Sequence, residues 1–413
     1  MRVLIVSQYF HPEPFRITDL ALALHERNHK VTVLTGVPNY PEGRTYPGYG
    51  SVAPSREIYN GVPIVRVPMI TRGAAKGWRL ILNYLSFAVC ACILGPLLCR
   101  EKYDVVLVYE PSPVTVGLPG MLMGKLNGAP VMLWIQDLWP ETLAAVGQRG
   151  VLSHVAARIA NFIHRGCNLL LVQSEAFTQP LISRGIVPAH IRYLPNWAED
   201  FYKQCIPDSG DDSLHQFNGT RILFAGNLGA AQSLETIVEA AGMLRHRLDI
   251  QWIIVGDGLM RGWLEAQIRL HELGATMTLL ERRPAEHMPA LFSHADALLV
   301  TLRRDPVFTM TIPSKIQSYL AAGVAIVGAL DGEGARIVSE SGSGLVANAE
   351  DGQGLARCVE QIAVMSSAER RAMGRHGREY FDKHFSRDRL VDSLQTWMHE
   401  LVKESHADTH PRR

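Results

Sequence analysis

"RILFAGNLGAAQSLETIVEAAGML", residues 221–244, carries the pattern that decides the fold. It starts with a short apolar run, which is typical of a strand buried on both faces of a sheet. A turn with Gly226 and Gly229 follows, and "SLETIVEAAGML" then has the spacing of an amphipathic helix. A strand, a glycine turn and a helix in this order predict one step of a parallel sheet built from βαβ units.

The same pattern extends in both directions along the chain. Short apolar runs alternate with helical segments, six runs before and five after a break at Tyr193–Thr220 that is rich in Pro, Asp, Ser and Gly. This break predicts an interdomain linker. The fold class is therefore α/β, with two doubly wound, Rossmann-like domains facing each other across a cleft. The runs are "VLIVS", "KVTVLT", "PIVRVP", "DVVLVYE", "VMLWIQ", "LLLVQS", "RILFAG", "QWIIVGDG", "MTLLE", "ALLVTL" and "AIVGAL".

We expect three parts in the chain. The N-terminal domain covers residues 1–196 and the C-terminal domain covers residues 197–385. Residues 386–413 are helical and charged and are expected to return to the first domain. The last residues, "SHADTHPRR" (405–413), are predicted to be disordered.

Composition narrows the function classes. Of the 413 residues, 47% are hydrophobic and 20% charged, which is enough for a large core, and the net charge of +1 gives no electrostatic support for nucleic-acid binding. The six cysteines lack the spacing of a metal site and indicate a reducing compartment. The N-terminal "MRVLIVSQYFHPEP" predicts a first strand, Arg2–Ser7, rather than a signal peptide.

One apolar segment has three interpretations. "LILNYLSFAVCACILGPLLC", residues 80–99, is about long enough for a membrane span and is flanked by basic Lys76, Arg79, Arg100 and Lys102. A buried helix of a large α/β domain is favoured, and a helix that touches one membrane surface is the next choice. A true span fits least, because a strand of the same domain follows at once.

Four strand ends in the second half carry groups suited to an anion. They are the glycine turn at 226–229, Gly256-Asp257-Gly258, Glu281-Arg282-Arg283, and "TMTIPSKIQSYLAAG" at 309–323. Each of these four motifs is common by itself. Because ligands bind at the carboxyl ends of strands in such sheets, the four motifs together predict a nucleoside diphosphate site. "GNLG" lacks the dinucleotide GxGxxG fingerprint, which lowers the case for NAD.

The stretch 309–323 predicts a helix start. Pro313 suits the first helical turn, Ser314 can cap, and Gly323 is a natural stop. Lys315 lies in the first turn, where the helix dipole disfavours a cation. Either Lys315 points into water, or it shares a bound anion with the helix N-terminus.

Strand ends of the first half offer a second set of polar groups. The loop Ser7–Asp19 carries His11, Glu13 and Arg16, and "WIQDLWPE" places Gln136, Asp137 and Glu141 just past a strand. Asp137 is a candidate catalytic or substrate-binding carboxylate, with a helix N-cap before Pro140 as the alternative. Ser174 and Glu175 follow a third strand, where a cap is the expected role.

These motifs resemble a known family. "RILFAGNLGAAQSLETIVEAAGML", "WIIVGDGLMRGWLEAQI" and "IPSKIQSYLAAGVAIVGA" are similar to the nucleotide-binding half of the retaining GT-B glycosyltransferases of group 1, family four, and "MLWIQDLWPETL" is similar to the acceptor half. The resemblance is nearest to bacterial transferases of O-antigen, capsule or exopolysaccharide assembly that add a fucose-type or N-acetylated amino sugar. Such enzymes work on precursors carried by a polyprenyl lipid.

The resemblance implies roles for individual residues. Asp137, Arg16 and Lys315 would be catalytic: Asp137 near the reacting carbon or the acceptor hydroxyl, the Arg16 loop closing over the phosphates, and Lys315 on the donor diphosphate. Arg282 would lie along the base. The full donor-binding set is Gly226, Asn227, Gly229, Gln232, Gly256, Asp257, Arg282, Pro313, Ser314 and Lys315. The acceptor-binding set is His11, Glu13, Gln136 and Glu175.

The resemblance also implies the chemistry and the partners. Attack would occur on the front face with retention, and the leaving phosphate would take the acceptor's proton. No metal and no cofactor are expected, because helix N-termini and basic side chains would stabilise the leaving diphosphate. The partners would be a nucleotide sugar, a polyprenyl-diphosphate-linked saccharide and the cytoplasmic face of the plasma membrane, with no nucleic acid.

Three departures from the family pattern stand out. Met310 and Ser318 stand where the family usually has two glutamates, Asn227 and Gln232 replace an arginine and a lysine, and Pro14-Phe15 replaces a glycine pair. An apolar Met310 near the sugar would suit a deoxy sugar, whose methyl group needs no hydrogen-bond partner.

Two alternatives remain beside the transferase. A sugar-nucleotide epimerase of the same fold would need an acid/base set, for which only Asp137, Glu175 and His11 are candidates. The missing glutamates would also fit a non-catalytic partner subunit, although such a subunit has no use for phosphate-binding elements.

Overall fold

The computed structural model describes residues 1–50, 52–73, 77–141, 151–203 and 217–409. The chain divides into two compact units: unit 1 is Met1–Pro195 with Asp388–Arg413, and unit 2 is Asn196–Arg387. Lys76, linker residues 204–216 and tail residues 410–413 lie outside the described residues. Each unit has its own mainly parallel sheet with helices, so the predicted class of two Rossmann-like α/β domains is confirmed.

Unit 1 is built on eight strands. They are β1 (Arg2–Ser7), β2 (Lys30–Thr35), β3 (Ser55–Tyr59), β4 (Val62–Arg66), β5 (Val105–Glu110), β6 (Val131–Ile135), β7 (Leu169–Val172) and β8 (Ile191–Tyr193). Their order in the sheet is β3-β4-β2-β1-β5-β6-β7-β8, and every neighbouring pair is parallel except β3 with β4. The described helices before the linker are α1 (Arg16–Glu26), α2 (Gly77–Leu98), α3 (Gly117–Asn127), α4 (Val151–Gly166) and α5 (Thr178–Ser183).

Unit 2 has a six-stranded, fully parallel sheet. Its strands are β9 (Thr220–Ala225), β10 (Ile250–Val255), β11 (Met277–Leu280), β12 (Ala297–Thr301), β13 (Ile326–Ala329) and β14 (Gly344–Ala347), in the order β11-β10-β9-β12-β13-β14. Its helices are α6 (Leu234–Met243), α7 (Arg261–Leu270), α8 (Met288–Ser293), α9 (Pro306–Met310), α10 (Ser314–Ala322), α11 (Gly332–Glu340), α12 (Gly352–Val364) and α13 (Ser367–His384).

The last helix, α14 (Arg387–Thr409), packs on unit 1. Arg27 pairs with Asp388 at 3.0 Å and with Asp392 at 3.1 Å, and Gln395 hydrogen-bonds His29 at 2.7 Å. Because α14 continues to Thr409, the disorder predicted from residue 405 is wrong for 405–409.

Burial of apolar strands drives both sheets. In β1 every residue after Arg2 is buried, and β5 and β6 are buried throughout, so their continuous apolar runs are explained by helices on both sheet faces. The register aligns the strand ends: Val255 of β10 pairs with Ala225 and Leu280, and Tyr109 of β5 with Ser7 and Trp134. In each sheet, loops that follow neighbouring strands therefore share one edge.

All eleven apolar runs form strands, but three further strands were not predicted. β3 is an antiparallel edge strand with largely exposed residues, β8 is three residues long, and β14 is only half-buried. None of the three has the continuous buried run on which the prediction relied, because each lies at the margin of its sheet.

The helix start at 309–323 is shifted by one residue from the prediction. α10 begins at Ser314, with Pro313 as its N-cap in an extended conformation, and no side chain caps this end. The expected capping role of Ser314 is therefore wrong. Gly323 ends the helix in the left-handed conformation, as predicted. Met310 lies in the short helix α9, which the sequence pattern did not indicate.

Helix α2 is long and apolar enough to cross a membrane, judged by length and composition. One side packs on unit 1 through buried Asn83, Phe87, Ala91 and Gly95. The opposite side, which we call the apolar face of α2, carries seven large side chains that are 39–67% exposed: Trp78, Ile81, Leu82, Leu85, Val89, Ile93 and Leu97. The favoured interpretation of a core helix is therefore wrong for this face.

Candidate active site

In unit 2, two glycine loops meet at the carboxyl edge of the sheet. Gly226 follows β9 and Gly256 follows β10, and the N–H of Gly226 donates to the carbonyl of Val255 at 2.9 Å. A Cβ on Gly256 would lie 1.9 Å from the carbonyl oxygen of Gly226, so only glycine permits this approach. The backbone of both loops is thereby brought within reach of a bound ligand.

Lys315 reaches from α10 into this edge. Its ammonium donates to Gln232 Oε1 at 2.6 Å and lies 3.6 Å from the centroid of the Phe224 ring. A Cβ on Gly226 would lie 2.6 Å from Lys315 Cε, so the lysine runs directly over the glycine. Of the two interpretations of Lys315, the one in which it points into water is wrong.

The surroundings of Lys315 hold no compensating charge. No carboxylate in the described parts of the chain pairs with its ammonium, and burial lowers the pKa of Lys315 to about 7. A half-neutral lysine beside two glycine loops and the N-terminus of α10 is a site that a phosphate oxygen would complete.

The remaining donor-binding candidates follow strands at the same edge of the sheet, and they differ in exposure and in hydrogen bonding. Gln232 belongs to this site through its bond with Lys315, whereas Asn227 is exposed at the tip of its loop, next to Gly229 and Gly258. Asp257 is exposed and accepts the N–H of Gly258 at 2.8 Å. Arg282 is exposed two residues past β11. The structure shows no contact between Arg282 and Lys315, so the role of Arg282 stays a prediction.

Met310 in α9 and Ser318 in α10 stand where the resembled family has two glutamates, and their surroundings differ. Ser318 donates to the carbonyl of Ser314 at 3.3 Å, one turn along α10. Met310 is half-buried at the end of α9. Neither position carries a charge, so neither adds a carboxylate to this edge of the sheet.

In unit 1, Asp137 lies just past β6 in a partly polar setting. Its carboxyl hydrogen-bonds the Ser112 hydroxyl, which also accepts Trp139 Nε1–H at 2.9 Å. Burial, with repulsion from Glu110, raises the pKa of Asp137 to about 7, although Ser112 opposes the shift. The alternative N-cap role concerns the segment after Pro140, of which residues 142–150 lie outside the described residues, so it stays a prediction.

Asp137 and Arg16 share one neighbour, Tyr109 of β5. Burial raises the pKa of Tyr109, the charge of Arg16 lowers it, and that of Asp137 raises it further. Arg16 is the first residue of α1, after the loop that follows β1. The two predicted catalytic residues of this unit are therefore brought to one edge.

Glu110 is a fully buried carboxyl behind Asp137. His164 Nε2 lies 3.9 Å from Glu110 Oε2, and both side chains are shielded from solvent. Burial raises the pKa of Glu110, while His164 opposes that shift. The pair therefore belongs to the interior of the unit.

Glu13 has a structural role instead of the predicted acceptor contact. Its carboxylate accepts the backbone N–H groups of Asn39 and Tyr40 at 2.8 Å each and of Phe10 at 3.2 Å, and the residue is 2% exposed. Burial raises its pKa to about 7. Both oxygens hold two loops together, and burial of the side chain keeps the carboxylate away from an acceptor.

The other acceptor candidates are spread along the edge. The His11 ring stacks on Tyr59 at 3.7 Å, beside the β3–β4 hairpin. Gln136 is half-buried, and its backbone N–H donates to the backbone carbonyl of Glu110 at 2.9 Å. Glu175 is exposed at the start of a 3₁₀ turn. The expected cap is wrong for Ser174, whose buried hydroxyl makes no hydrogen bond within the described chain.

Sequence reasoning missed several contributors to both edges. Phe224 looked like a core residue of β9, and nothing in the sequence marks it as the surface beneath Lys315. Arg261 ties two loops together by donating to the carbonyls of Gly256 at 2.7 Å and Leu280 at 3.3 Å. Ser112 follows β5 in "EPSP", so attention to this strand end could have found it.

No group of three His, Cys, Asp or Glu side chains is placed to hold a metal ion in the described ranges. Metal independence stays a prediction.

Comparisons with known proteins match both halves of the chain. Residues 15–197 match the family model "Glycosyl transferase 4-like domain" and residues 219–364 match "Glycosyl transferases group 1". The "Putative colanic acid biosynthesis glycosyl transferase WcaI" of Escherichia coli K12 is 27% identical over 380 residues, which cover 88% of this chain and 89% of the relative.

Two solved structures share the fold over the full length. Sucrose-phosphate synthase from Thermosynechococcus elongatus has a TM-score of 0.76 at 14% identity and covers 98% of this chain and 100% of its own. The Anabaena protein Alr3699/HepE in complex with UDP has a TM-score of 0.70 at 14% identity, covering 97% and 100%. At these identities the likeness concerns the fold.

Proposed function

We infer that the chain, a transferase enzyme, belongs to the two-domain GT-B glycosyltransferases, with a family-4-like first domain and a group 1 second domain. From this premise we propose that it moves a sugar from a nucleoside-diphosphate sugar, with retention, to a lipid-linked saccharide in cell-surface polysaccharide biosynthesis. The name of the Escherichia coli relative, which refers to colanic acid biosynthesis, supports the polysaccharide part of this proposal.

The observation that carries the proposal is the setting of Lys315. A lysine held on an aromatic ring and a neutral glutamine, without a carboxylate among the described residues, is arranged for an anionic ligand. The adjoining loops at Gly226 and Gly256 admit close approach of a diphosphate. UDP bound to the Anabaena protein of this fold supports a nucleoside diphosphate as the ligand.

In the proposed reaction Lys315 and the N-terminus of α10 stabilise the leaving diphosphate. The acceptor oxygen attacks the anomeric carbon on the face that the phosphate leaves, the bond from that carbon to the phosphate oxygen breaks, and the phosphate takes the acceptor's proton. Asp137 orients the acceptor hydroxyl by accepting its hydrogen bond. Half-buried Met310 favours a donor with an apolar substituent, such as a 6-deoxy sugar.

The proposal places the enzyme at the cytoplasmic surface of a membrane. The apolar face of α2 offers seven exposed apolar side chains in one row, and α2 contains no acidic residue. Exposed Arg79, Arg100 and Lys102 flank the row at its two ends. Apolar side chains between basic ends suit the interface of an anionic lipid layer. Packing of α2 along its other side favours docking on the membrane over spanning it.

A screen of nucleotide sugars against short polyprenyl-diphosphate saccharides, read by mass, tests the proposal. We expect one donor to yield an acceptor enlarged by one sugar together with free nucleoside diphosphate. Release of the diphosphate only when the acceptor is present separates transfer from epimerisation. Failure to bind either UDP or GDP in isothermal titration would contradict the donor site, and transfer only to water-soluble saccharides would contradict the lipid-linked acceptor.

A further inference from the structure

Arg72 lies in a small aromatic cluster of unit 1 that the transfer reaction described above does not use. Its guanidinium sits over the Tyr40 ring, 4.9 Å from the centroid. The Tyr40 ring in turn contacts Phe15 at 5.1 Å and Tyr9 at 5.8 Å between centroids. The backbone N–H of Arg72 donates to Asn39 Oδ1 at 3.0 Å. The arginine is therefore held in place by its backbone and by its stacking partner.

The guanidinium of Arg72 lacks an anion. Its Nε is buried and makes no hydrogen bond, and no carboxylate pairs with this arginine in the described parts of unit 1. A buried donor without a partner loses its hydration with nothing in return, so such a group calls for an explanation. A guanidinium presents a fork of donors that matches two phosphate oxygens, and stacking on an aromatic ring leaves that fork available.

The position of Arg72 connects two features already described. Asn83, near the start of α2, donates to the carbonyl of Ile70 at 2.6 Å and accepts from Gln8 Nε2 at 2.8 Å. Gln8 directly follows β1, so this end of α2 lies at the carboxyl edge of the sheet. Trp78, the first residue of the apolar face of α2, is at the same end.

Tyr84 places Arg72 near the reaction edge as well. Its hydroxyl shares a hydrogen bond with Tyr9. Burial raises the pKa of Tyr84, the charge of Arg72 lowers it, and that of Asp137 raises it. Arg72 and Asp137 therefore both lie close enough to Tyr84, a residue of α2, to affect its pKa.

We infer that Arg72, stacked on Tyr40, binds the phosphate that joins the saccharide acceptor to its lipid. The lipid chain would lie in the membrane below the apolar face of α2, and the saccharide would extend from the phosphate toward Asp137. This inference rests on the proposed function, because it names the group by which that acceptor is recognised.

Binding to vesicles tests the site without requiring turnover. Phosphatidylcholine vesicles carrying a polyprenyl phosphate are compared with vesicles that carry phosphatidylglycerol at equal charge. We expect the wild type to bind the first about tenfold more tightly, as one charge-assisted hydrogen-bonded pair would give. Arg72→Gln should abolish this preference and leave binding to phosphatidylglycerol unchanged.

Arg100→Gln is the matched control, because it removes the same charge from the opposite end of α2. It should weaken binding to both vesicles equally and keep the preference. Arg72→Lys keeps the charge but loses the fork, and should retain only part of the preference. Equal preference in Arg72→Gln and wild type, or no preference in wild type, would overturn the inference.

Inorganic diphosphate distinguishes a lipid-linked from a soluble phosphate. If Arg72-dependent binding of free diphosphate occurs without any preference for polyprenyl phosphate, the site belongs to a soluble ligand and the inference is wrong. Titration with UDP and GDP is run on the same variants. If the wild type binds neither UDP nor GDP, the donor site of the proposed function is rejected. The phosphate-binding role of Arg72 is tested separately, by the vesicle preference.

Discussion

The ammonium of Lys315 lies 3.6 Å from the ring centroid of Phe224 and donates to the neutral Gln232, its one polar side-chain partner among the described residues. A lysine in such surroundings loses hydration without gaining a counter-charge, which is why its pKa falls to about 7. A phosphate of the proposed donor would supply the missing charge. Binding of that phosphate would then be coupled to protonation of Lys315.

Replacing Lys315 by methionine should weaken nucleoside diphosphate binding by about 10- to 100-fold, as expected for the loss of a charge-assisted hydrogen bond of ~1.5–3 kcal/mol. Isothermal titration with UDP and GDP measures the change. Lys383→Met, an exposed lysine of α13, is the matched control and should bind as the wild type does. Unchanged affinity and turnover in Lys315→Met would remove α10 from the donor site.

Nucleotide binding at pH 8 should take up about 0.9 proton, because a lysine with a pKa of about 7 is largely neutral there and regains its charge beside a diphosphate. Titration in two buffers of different ionisation enthalpy gives the number. The uptake should fall toward zero at pH 6 and vanish in Lys315→Met.

Without nucleotide, Lys315 also makes the free energy of unfolding depend on pH. Because the pKa of Lys315 is lower in the folded chain than in the unfolded one, its contribution to the free energy of unfolding increases as pH rises from about 7 toward the unfolded value near 10.5. Proton release on binding at pH 8 would contradict this assignment.

Gly256→Ala should lower nucleotide affinity by about tenfold or more and also destabilise unit 2 by about 1–3 kcal/mol. The new Cβ would meet the Gly226 carbonyl at 1.9 Å, so the two loops must separate. Gly262→Ala in α7 is the control, since its Cβ would meet no atom within 4 Å. That change should leave binding intact and increase stability by ~0.5–1 kcal/mol. Thermal unfolding and titration report the two effects separately.

Asp137→Asn should reduce kcat by about 100-fold or more and leave nucleotide affinity within about twofold, because the carboxylate is proposed to act on the acceptor. Steady-state kinetics and titration on one sample check both numbers. Unchanged kcat in Asp137→Asn would show that Asp137 is not a catalytic residue.

Ser112→Ala tests the protonation state of Asp137. The ionised carboxylate is the proposed active form, so kcat/KM for the acceptor, measured at saturating donor where Lys315 is charged, should rise with pH through about 7. Loss of the Ser112 hydrogen bond removes a contribution that lowers the pKa of Asp137, and the acid limb should move up by about 0.4–1 pH unit. A shift toward lower pH would be the wrong sign for this interaction.

Leu85→Gln should release the protein from membranes, since Leu85 lies midway along the apolar face of α2 and each buried leucine contributes about 1.5–3 kcal/mol. Vesicle co-sedimentation gives the affinity. Leu126→Gln on α3 is the matched control, because Leu126 is as exposed but lies outside this face. A wild type that stays soluble with and without lipid would refute membrane docking.

The fold could be predicted because eleven strands carry mainly apolar runs, which alternate with helical segments as in a sheet covered on both faces. β3 and β8 were not predicted, because an exposed edge strand and a three-residue strand have no comparable apolar run. The clustering of Gly226, Gly256 and Lys315 followed from the rule that parallel strand ends share an edge.

Side-chain surroundings could not be predicted in the same way. The sequence contains Phe224 and Glu13 but gives no sign that one lies beneath a lysine and the other holds three backbone N–H groups. Arg72 is neither in a strand nor at a strand end, so its stacking on Tyr40 appears only when distant segments are brought together.

The glycine at position 226 occupies the space over which Lys315 extends. Any side chain there would have to share that space with the lysine, so neither position can vary alone. Among proteins of this fold we therefore expect residue 226 and residue 315 to co-vary. A chain with a larger residue at the first position should carry a shorter or uncharged one at the second and meet the phosphate charge from another loop.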